Sequence, residues 1–159
     1  MIKLIHFAAC EKVIIGKDNI SSLIGMLEHV IVNGEAAKSL TENTGLPFNW
    51  SAICLFNRTE EVAETATINL KMEVIAPNGK TLMGGNLDFV VTNDSWNFRN
   101  QIAFPVFPIG QAGVYRVTLA IKNHDAEEWE QVGEYPVLVI HDLTEVNNEN
   151  QNESANESV

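Results

Sequence analysis

The chain is poor in cysteine, in basic residues and in long apolar runs. Of its 159 residues two are cysteine, Cys10 and Cys54, and four are histidine, while ten Lys and Arg stand against 21 Asp and Glu. The formal charge of −11 argues against binding nucleic acid, because that grip needs bases to displace phosphate counterions. It argues equally against docking on anionic lipid. No stretch approaches the ~20 apolar residues of a membrane-spanning helix. Only six residues separate Lys3 from Cys10, too few for the apolar region of a secretory leader, about 7–15 residues long. Ala8-Ala9-Cys10 is therefore not read as a lipoprotein cleavage site. The expected location is cytoplasmic, with both thiols reduced and buried. Asn-x-Ser/Thr triplets begin at Asn19, Asn49, Asn57 and Asn93, and in that compartment they are chance matches.

Catalytic patterns are missing as well. No histidine pair has the spacing His-x-x-x-His, and there is no Cys-x-x-Cys, so no metal site is expected. There is no nucleophile elbow of the form Gly-x-Ser-x-Gly and no phosphate-binding glycine loop. His6 lies four residues before Cys10, which in a strand is ~13 Å, beyond the reach of a base and its nucleophile. The expectation is a protein that is not an enzyme and carries no cofactor. An immunoglobulin-type disulfide is not expected either. Trp50 comes only four residues before Cys54, whereas that pattern places the Trp well ahead of the second Cys.

What the chain does have is strand periodicity. Ala66, Ile68, Leu70, Met72 and Val74 alternate with Thr67, Asn69, Lys71 and Glu73, the period of a strand with one buried face. Pro77-Asn78-Gly79-Lys80 follows, and Asn-Gly predicts a two-residue type I′ turn. That register sets Leu70 opposite Leu87, Ile68 opposite Phe89, Ala66 opposite Val91 and Val74 opposite Met83. A second hairpin is predicted from Ile102, Phe104 and Val106, through 108–113, to Tyr115, Val117, Leu119 and Ile121. Pro105 marks its first strand as an edge or a bulge, since proline donates no ladder hydrogen bond. Further strands are predicted over 2–15, 23–32, 48–57 and 129–140, and a helical turn over 35–40. About eight strands joined by short turns define an all-β antiparallel sandwich, immunoglobulin-like or C2-like, over residues 1–143. Residues 144–159 carry four Glu, no base and no aromatic, the composition of a disordered acidic tail.

Three stretches taken together resemble a known family. They are Cys10 with Ser22-Leu23-Ile24-Gly25-Met26-Leu27, then Ile75-Ala76-Pro77-Asn78-Gly79-Lys80, then Gly113-Val114-Tyr115-Arg116-Val117. In this order they resemble an uncharacterised bacterial domain-of-unknown-function family of small β-sandwich proteins, over residues 1–140. The resemblance implies the fold and a bacterial origin, and it carries over no catalytic residue.

Two surface features bear on function. Trp96 sits in the polar loop Thr92-Asn93-Asp94-Ser95-Trp96-Asn97. The favoured expectation is that it folds back over the end of the sandwich, since burying an indole is stabilising; the alternative is an anchor for a partner or a sugar ring. If strand direction alternates, the loops 17–19, 58–64, 93–99 and 123–128 share one end. That end would hold Asp18, Glu60, Glu61, Glu64, Asp94, Asp125, Glu127 and Glu128. The other end would balance Glu35 and Glu42 with Lys38 and Lys80. No Ca²⁺-loop spacing accompanies the acidic cluster. The leading expectation is a non-enzymatic protein-interaction module. Its candidate surface is Glu60, Glu61, Asp94, Trp96, Asp125, Glu127 and Glu128. The alternative is a small-ligand or carbohydrate-binding sandwich using Trp96.

Overall fold

The computed structural model describes residues 2–18, 20–59, 65–123 and 126–144. The expected tail from residue 145 onward lies outside these, as do Asn19, Glu60, Glu61, Glu64, His124 and Asp125. Nine strands and one short helix occur among the described residues: β1 (Ile2–Ile15), β2 (Ser21–Met26), β3 (His29–Asn33), α1 (Gly34–Lys38), β4 (Gly45–Arg58), β5 (Ala66–Ile75), β6 (Thr81–Val91), β7 (Asn97–Pro108), β8 (Gly113–Asn123) and β9 (Glu130–Asp142). They form two sheets, ordered β2-β1-β4-β7 and β3-β9-β8-β5-β6. Every pairing is antiparallel except β3 with β9. The fold is the expected all-β sandwich. No helix among the described residues is long and apolar enough to cross a membrane.

The core follows from period-two burial on the inner faces. β4 contributes Trp50, Ala52, Cys54 and Phe56, β5 contributes Leu70, Met72 and Val74, and β8 contributes Tyr115, Val117 and Leu119. Val137 and Val139 of β9, Val30 and Val32 of β3 and Val91 of β6 add the shares of the second sheet's other strands. The Tyr115 ring is fully buried, and its hydroxyl accepts from the Gln111 amide at 3.0 Å. A buried phenol reaching back a few residues to the backbone is the tyrosine-corner device of β-sandwiches. It gives the Gly-x-Tyr stretch a structural role.

The first hairpin has the predicted register. Leu70 faces Leu87, Ile68 faces Phe89, Ala66 faces Val91 and Val74 faces Met83. The turn itself differs. The Gly79 amide donates to the Ala76 carbonyl and the Ala76 amide to the Lys80 carbonyl, both at 2.9 Å. The loop is therefore three residues, Pro77-Asn78-Gly79. Proline takes the position for which its φ is pre-set, and Gly79 takes the left-handed one, φ 86°. The ladder slips by one between Val74 and Ile75, and that bulge restores the register a two-residue turn would have set. A Cβ at Gly79 would meet nothing within 4 Å, so the cost of a side chain there is conformational alone. Gly79→Val is expected to lose roughly 1–3 kcal/mol, and Gly79→Asn less, because Asn tolerates the left-handed region. Urea unfolding of both variants checks the order.

Two predicted elements are corrected. The single strand over 23–32 is two strands in different sheets. Gly25 has φ 64°, and the Leu27 amide donates to Ala9 at 2.9 Å, so the chain turns and crosses with Leu27 buried at the corner. The predicted second hairpin does not form. β7 is the edge of the first sheet and β8 lies inside the second. Phe107, Pro108 and Ile109 are buried in succession, as expected where a chain passes from one sheet to the other. The Ile109 amide donates to Thr44 across that passage at 2.9 Å. Pro105 is on the edge strand as expected, beside the bulge where the β4–β7 register shifts between Pro47 and Trp50.

Candidate functional site

The ladders bring three connections to one end of the sandwich. Ile2 pairs with Arg58 and Asn57 with Asn97, while in the other sheet Ala66 pairs with Val91, Ile68 with Asn123 and Ile121 with Glu130. The segments after Arg58, after Val91 and after Asn123 therefore share that end. Asp94, Trp96, Glu127 and Glu128 all belong to it. Of the remaining candidates, Glu60, Glu61 and Asp125 lie outside the described residues. Lys17 and Asp18 form the tip of the β1–β2 hairpin. At the opposite end, Lys38 pairs with Glu35 at 2.8 Å and Lys80 approaches Glu42 at 4.0 Å, the expected balance.

Arg58 organises the loop end. It ends β4 and is only 3% exposed. Its Nη1 donates to the Thr92 carbonyl at 2.8 Å and its backbone amide to the Trp96 carbonyl at 2.8 Å. The guanidinium carbon lies 4.5 Å from the Trp96 ring centroid, within the range of a cation–π contact. Among the described residues its Nε has no hydrogen-bond partner. Trp96 does not fold back into the core: the indole is held by Arg58 and remains 53% exposed. Beside it, the Thr92 hydroxyl donates to the Asp94 carboxylate. That bond, the Asp94 amide and the Arg58 charge hold the Asp94 carboxyl below its ordinary range, so it stays ionised at neutral pH. Trp129 lies under two cations, Lys71 at 5.3 Å and Lys122 at 5.5 Å from its ring.

The remaining candidates for chemistry separate. Cys10 and Cys54 are buried and unbridged. Cys10 pairs with Ser51 and Cys54 with Phe7, so the two thiols sit three ladder positions apart, on the order of 10 Å. Burial raises both thiol pKa values, that of Cys54 to about 12, which is the opposite of an activated nucleophile. His141 Nε2 lies 2.8 Å from the Ile109 carbonyl, a structural use of the ring. Among the described residues no three His, Cys, Asp or Glu gather as a metal site would require.

A second feature was not foreseen. The far half of β1 and all of β2 form an arm over the outer face of the first sheet, where the Arg99 Nη1 donates to the Ser21 hydroxyl. Between arm and sheet lies a groove of about 610 Å³. Its floor is Ile53 and Leu55, its roof Ser21 and Leu23, and its rim His6, Asn97 and Arg99. The period-two rule does place Asn97, Arg99 and Gln101 on one face of β7, a signal available in the sequence. The arm that makes a groove of that face depends on the bend of β1 and on the splitting of 23–32.

No protein-family model and no curated protein matches the chain.

Proposed function

We propose that the chain is a non-enzymatic protein-interaction module whose contact surface is the loop end around Trp96. The observation that carries this is an indole 53% exposed yet fixed on a buried guanidinium. Tryptophan and arginine are the residues most enriched at binding hot spots. A side chain already held in one place loses little entropy on binding. Asp94 is ionised beside it, and Glu127 and Glu128 share the end, so the partner surface is one with an apolar cleft and a basic rim. The reading includes a cytoplasmic location and kinship with the bacterial sandwich family that the chain resembles.

The test is affinity capture with the parent, with Trp96→Ala, and with Asp94, Glu127 and Glu128 changed together to their amides. A captured protein is then titrated in purified form. Trp96→Ala is expected to weaken binding about 30-fold, the scale of a hot spot, with little change in melting temperature. The amide variant should bind more weakly and lose its sensitivity to salt, because exposed charges are screened within ~8 Å at physiological ionic strength. Equal binding by parent and Trp96→Ala overturns the reading. The other use of the same indole is stacking on a sugar ring. A saturable response to soluble oligosaccharides, lost in Trp96→Ala, would replace the protein partner with a carbohydrate.

A further inference from the structure

Four strands stand at sheet edges: β2 and β7 in the first sheet, β3 and β6 in the second. An open edge invites pairing with another chain, and proteins guard edges with proline, charge, kinks and bulges. β7 carries Pro105 and Pro108, β6 carries Gly84, Gly85 and Asp88, and β2 is bent at Gly25, φ 64°. β3 reads His29-Val30-Ile31-Val32-Asn33, without proline, glycine, lysine or acid. Its centre is three β-branched residues, the type that strands favour. Among the described residues no strand pairs with its outer side, and His29, Ile31 and Asn33 are all exposed. The Leu138 amide donates to the Glu28 carbonyl at 2.9 Å, which fixes the alternation of the parallel ladder. Glu28, Val30 and Val32 turn their backbone groups to β9, so His29 and Ile31 turn theirs outward, as does the amide of Asn33. Asn33 is still extended, φ −101° and ψ 152°, while its carbonyl belongs to α1, as an N-cap carbonyl does. Gly34, φ 56°, then takes the chain out of the strand line, and Ala37 is buried in the core, so α1 folds inward and leaves the edge open.

We infer that β3 pairs antiparallel with β3 of a second copy of this chain, about a two-fold axis at Ile31. The two five-stranded sheets then form one continuous sheet. Outward groups at the first, third and fifth of five residues are self-complementary, as a two-fold interface requires. Ile31 exchanges two hydrogen bonds with its own image, and each Asn33 amide reaches the His29 carbonyl of the other copy, about four bonds in all. The outer face matches as well. Ile31 pairs with Ile140, and His29 pairs with Leu138, which pairs in turn with Val114. Ile31, Ile140, Leu138 and Val114 are 51%, 37%, 41% and 48% exposed, an apolar patch that runs up to the open edge. In the joined sheet the middle row reads Ile140-Ile31-Ile31-Ile140, apolar from one copy to the other. The rows beside it set His29 next to Asn33 of the second copy, with Asp142 of that copy next after it, so a base of one chain looks toward an acid of the other. Two chains of net charge −11 repel, yet no acid meets an acid across the ladder. Glu28 falls opposite Gly34, and Glu35 has left the strand line in α1. A five-residue seam belongs with the small transient interfaces, below about 1,200 Å² in total, so the dimer is a weak one. It leaves Trp96 free, and the antiparallel arrangement points the two Trp96 ends away from each other.

Sedimentation equilibrium of the full chain is expected to show monomer and dimer only, with a dissociation constant weaker than about 1 μM. Ile31→Lys sets two like charges against each other at the axis and should weaken the dimer at least about 10-fold. The melting temperature of the dilute monomer should hold, because this side chain faces solvent. The register has its own test. Ile31→Cys lies opposite itself, with Cα atoms about 5.5 Å apart, inside the span of a disulfide, so mild oxidation should give a covalent dimer. His29→Cys alone should not cross-link, and mixed with Asn33→Cys it should. Cys10 and Cys54 are buried and stay out of the reaction. Trp96→Ala should dimerise as the parent does. A parent that stays monomeric at every concentration overturns the inference and leaves the edge to a foreign strand. A dimer unaffected by Ile31→Lys, a dimer lost in Trp96→Ala, cross-linking by His29→Cys alone, or assemblies that grow beyond the dimer overturn it as well.

Discussion

Trp50→Ala is expected to cost about 3–5 kcal/mol, the range for removing a fully buried large aromatic. Trp50 is 0% exposed. Its ring stacks on Phe104 with centroids 4.5 Å apart and meets Phe107 edge-on at 5.4 Å. A hydrogen bond adds to the packing. Val106 pairs with Pro47, and proline has no N–H to give. The Val106 carbonyl is met instead by the Trp50 indole, whose Nε1 donates to it at 2.8 Å. Truncation therefore opens a cavity and removes the donor that this carbonyl uses. Trp50→Phe keeps one aromatic ring in the site and loses the donor together with the second ring, so it should cost less, about 1–3 kcal/mol. Domains of this size are stable by about 5–15 kcal/mol, so Trp50→Ala removes a large fraction of the total. Urea unfolding of both variants measures the two losses. A loss below about 1 kcal/mol for Trp50→Ala would show that the β4–β7 bulge repacks without it.

Where local chemistry decides a feature, it was legible in the sequence. The alternation from Ala66 to Val74 defines a strand whatever surrounds it. The inner face of β4 carries Trp50, Ala52, Cys54 and Phe56 at the same period of two. Features decided by tertiary context were not legible. The residues of β7 and β8 alternate as a hairpin would, and only the consecutive burial of Phe107, Pro108 and Ile109 reveals the passage between sheets. Asn78-Gly79 suggested a two-residue turn. The Pro77 ring, with φ pre-set for the first central position, favours the 76–79 turn instead. Gly25 inside an apolar run was the one local sign that 23–32 changes direction, and a lone glycine in a strand has several other meanings.

The candidate site divides in the same way. Sequence order alone puts Asp94, Trp96, Glu127 and Glu128 in loops, and the ladders place those loops at one end. That Trp96 stays exposed depends on Arg58, which ends a strand 38 positions earlier and reaches both the Thr92 carbonyl and the indole. A buried arginine under a loop tryptophan has no signature in local spacing. The groove is less legible still, because its lining comes from β1, β2, β4 and β7 and its roof exists only because β1 bends.

Raising the pH from 9 to 12 is expected to destabilise the protein by up to about 4 kcal/mol through Cys54 alone, the equivalent of a thiol pKa moved from 9.0 to about 12. Burial is the main cause, and hydrogen bonding with the Asn100 backbone opposes it only in part. The sign follows from proton counting. Below pH 9 the thiol is protonated whether the chain is folded or not, and its contribution is intact. Between pH 9 and 12 the unfolded chain releases the proton while the folded chain holds it. The unfolded state then binds fewer protons, so stability falls as pH rises. Cys10, Tyr115 and Tyr135 are displaced in the same direction, each chiefly by burial, and they steepen the loss. Cys54→Ala isolates the largest share. It lowers stability at pH 8 by removing a buried side chain, yet its urea midpoint should fall less between pH 9 and 11 than that of the parent. The same burial predicts the thiol chemistry. Without reductant at pH 8, a thiol reagent should find two groups per chain in denaturant, and Cys54 should be unreactive in the native protein. Parallel pH profiles for the parent and Cys54→Ala would mean that the thiol ionises without unfolding the sheet, and rapid native labelling of Cys54 would place water beside it.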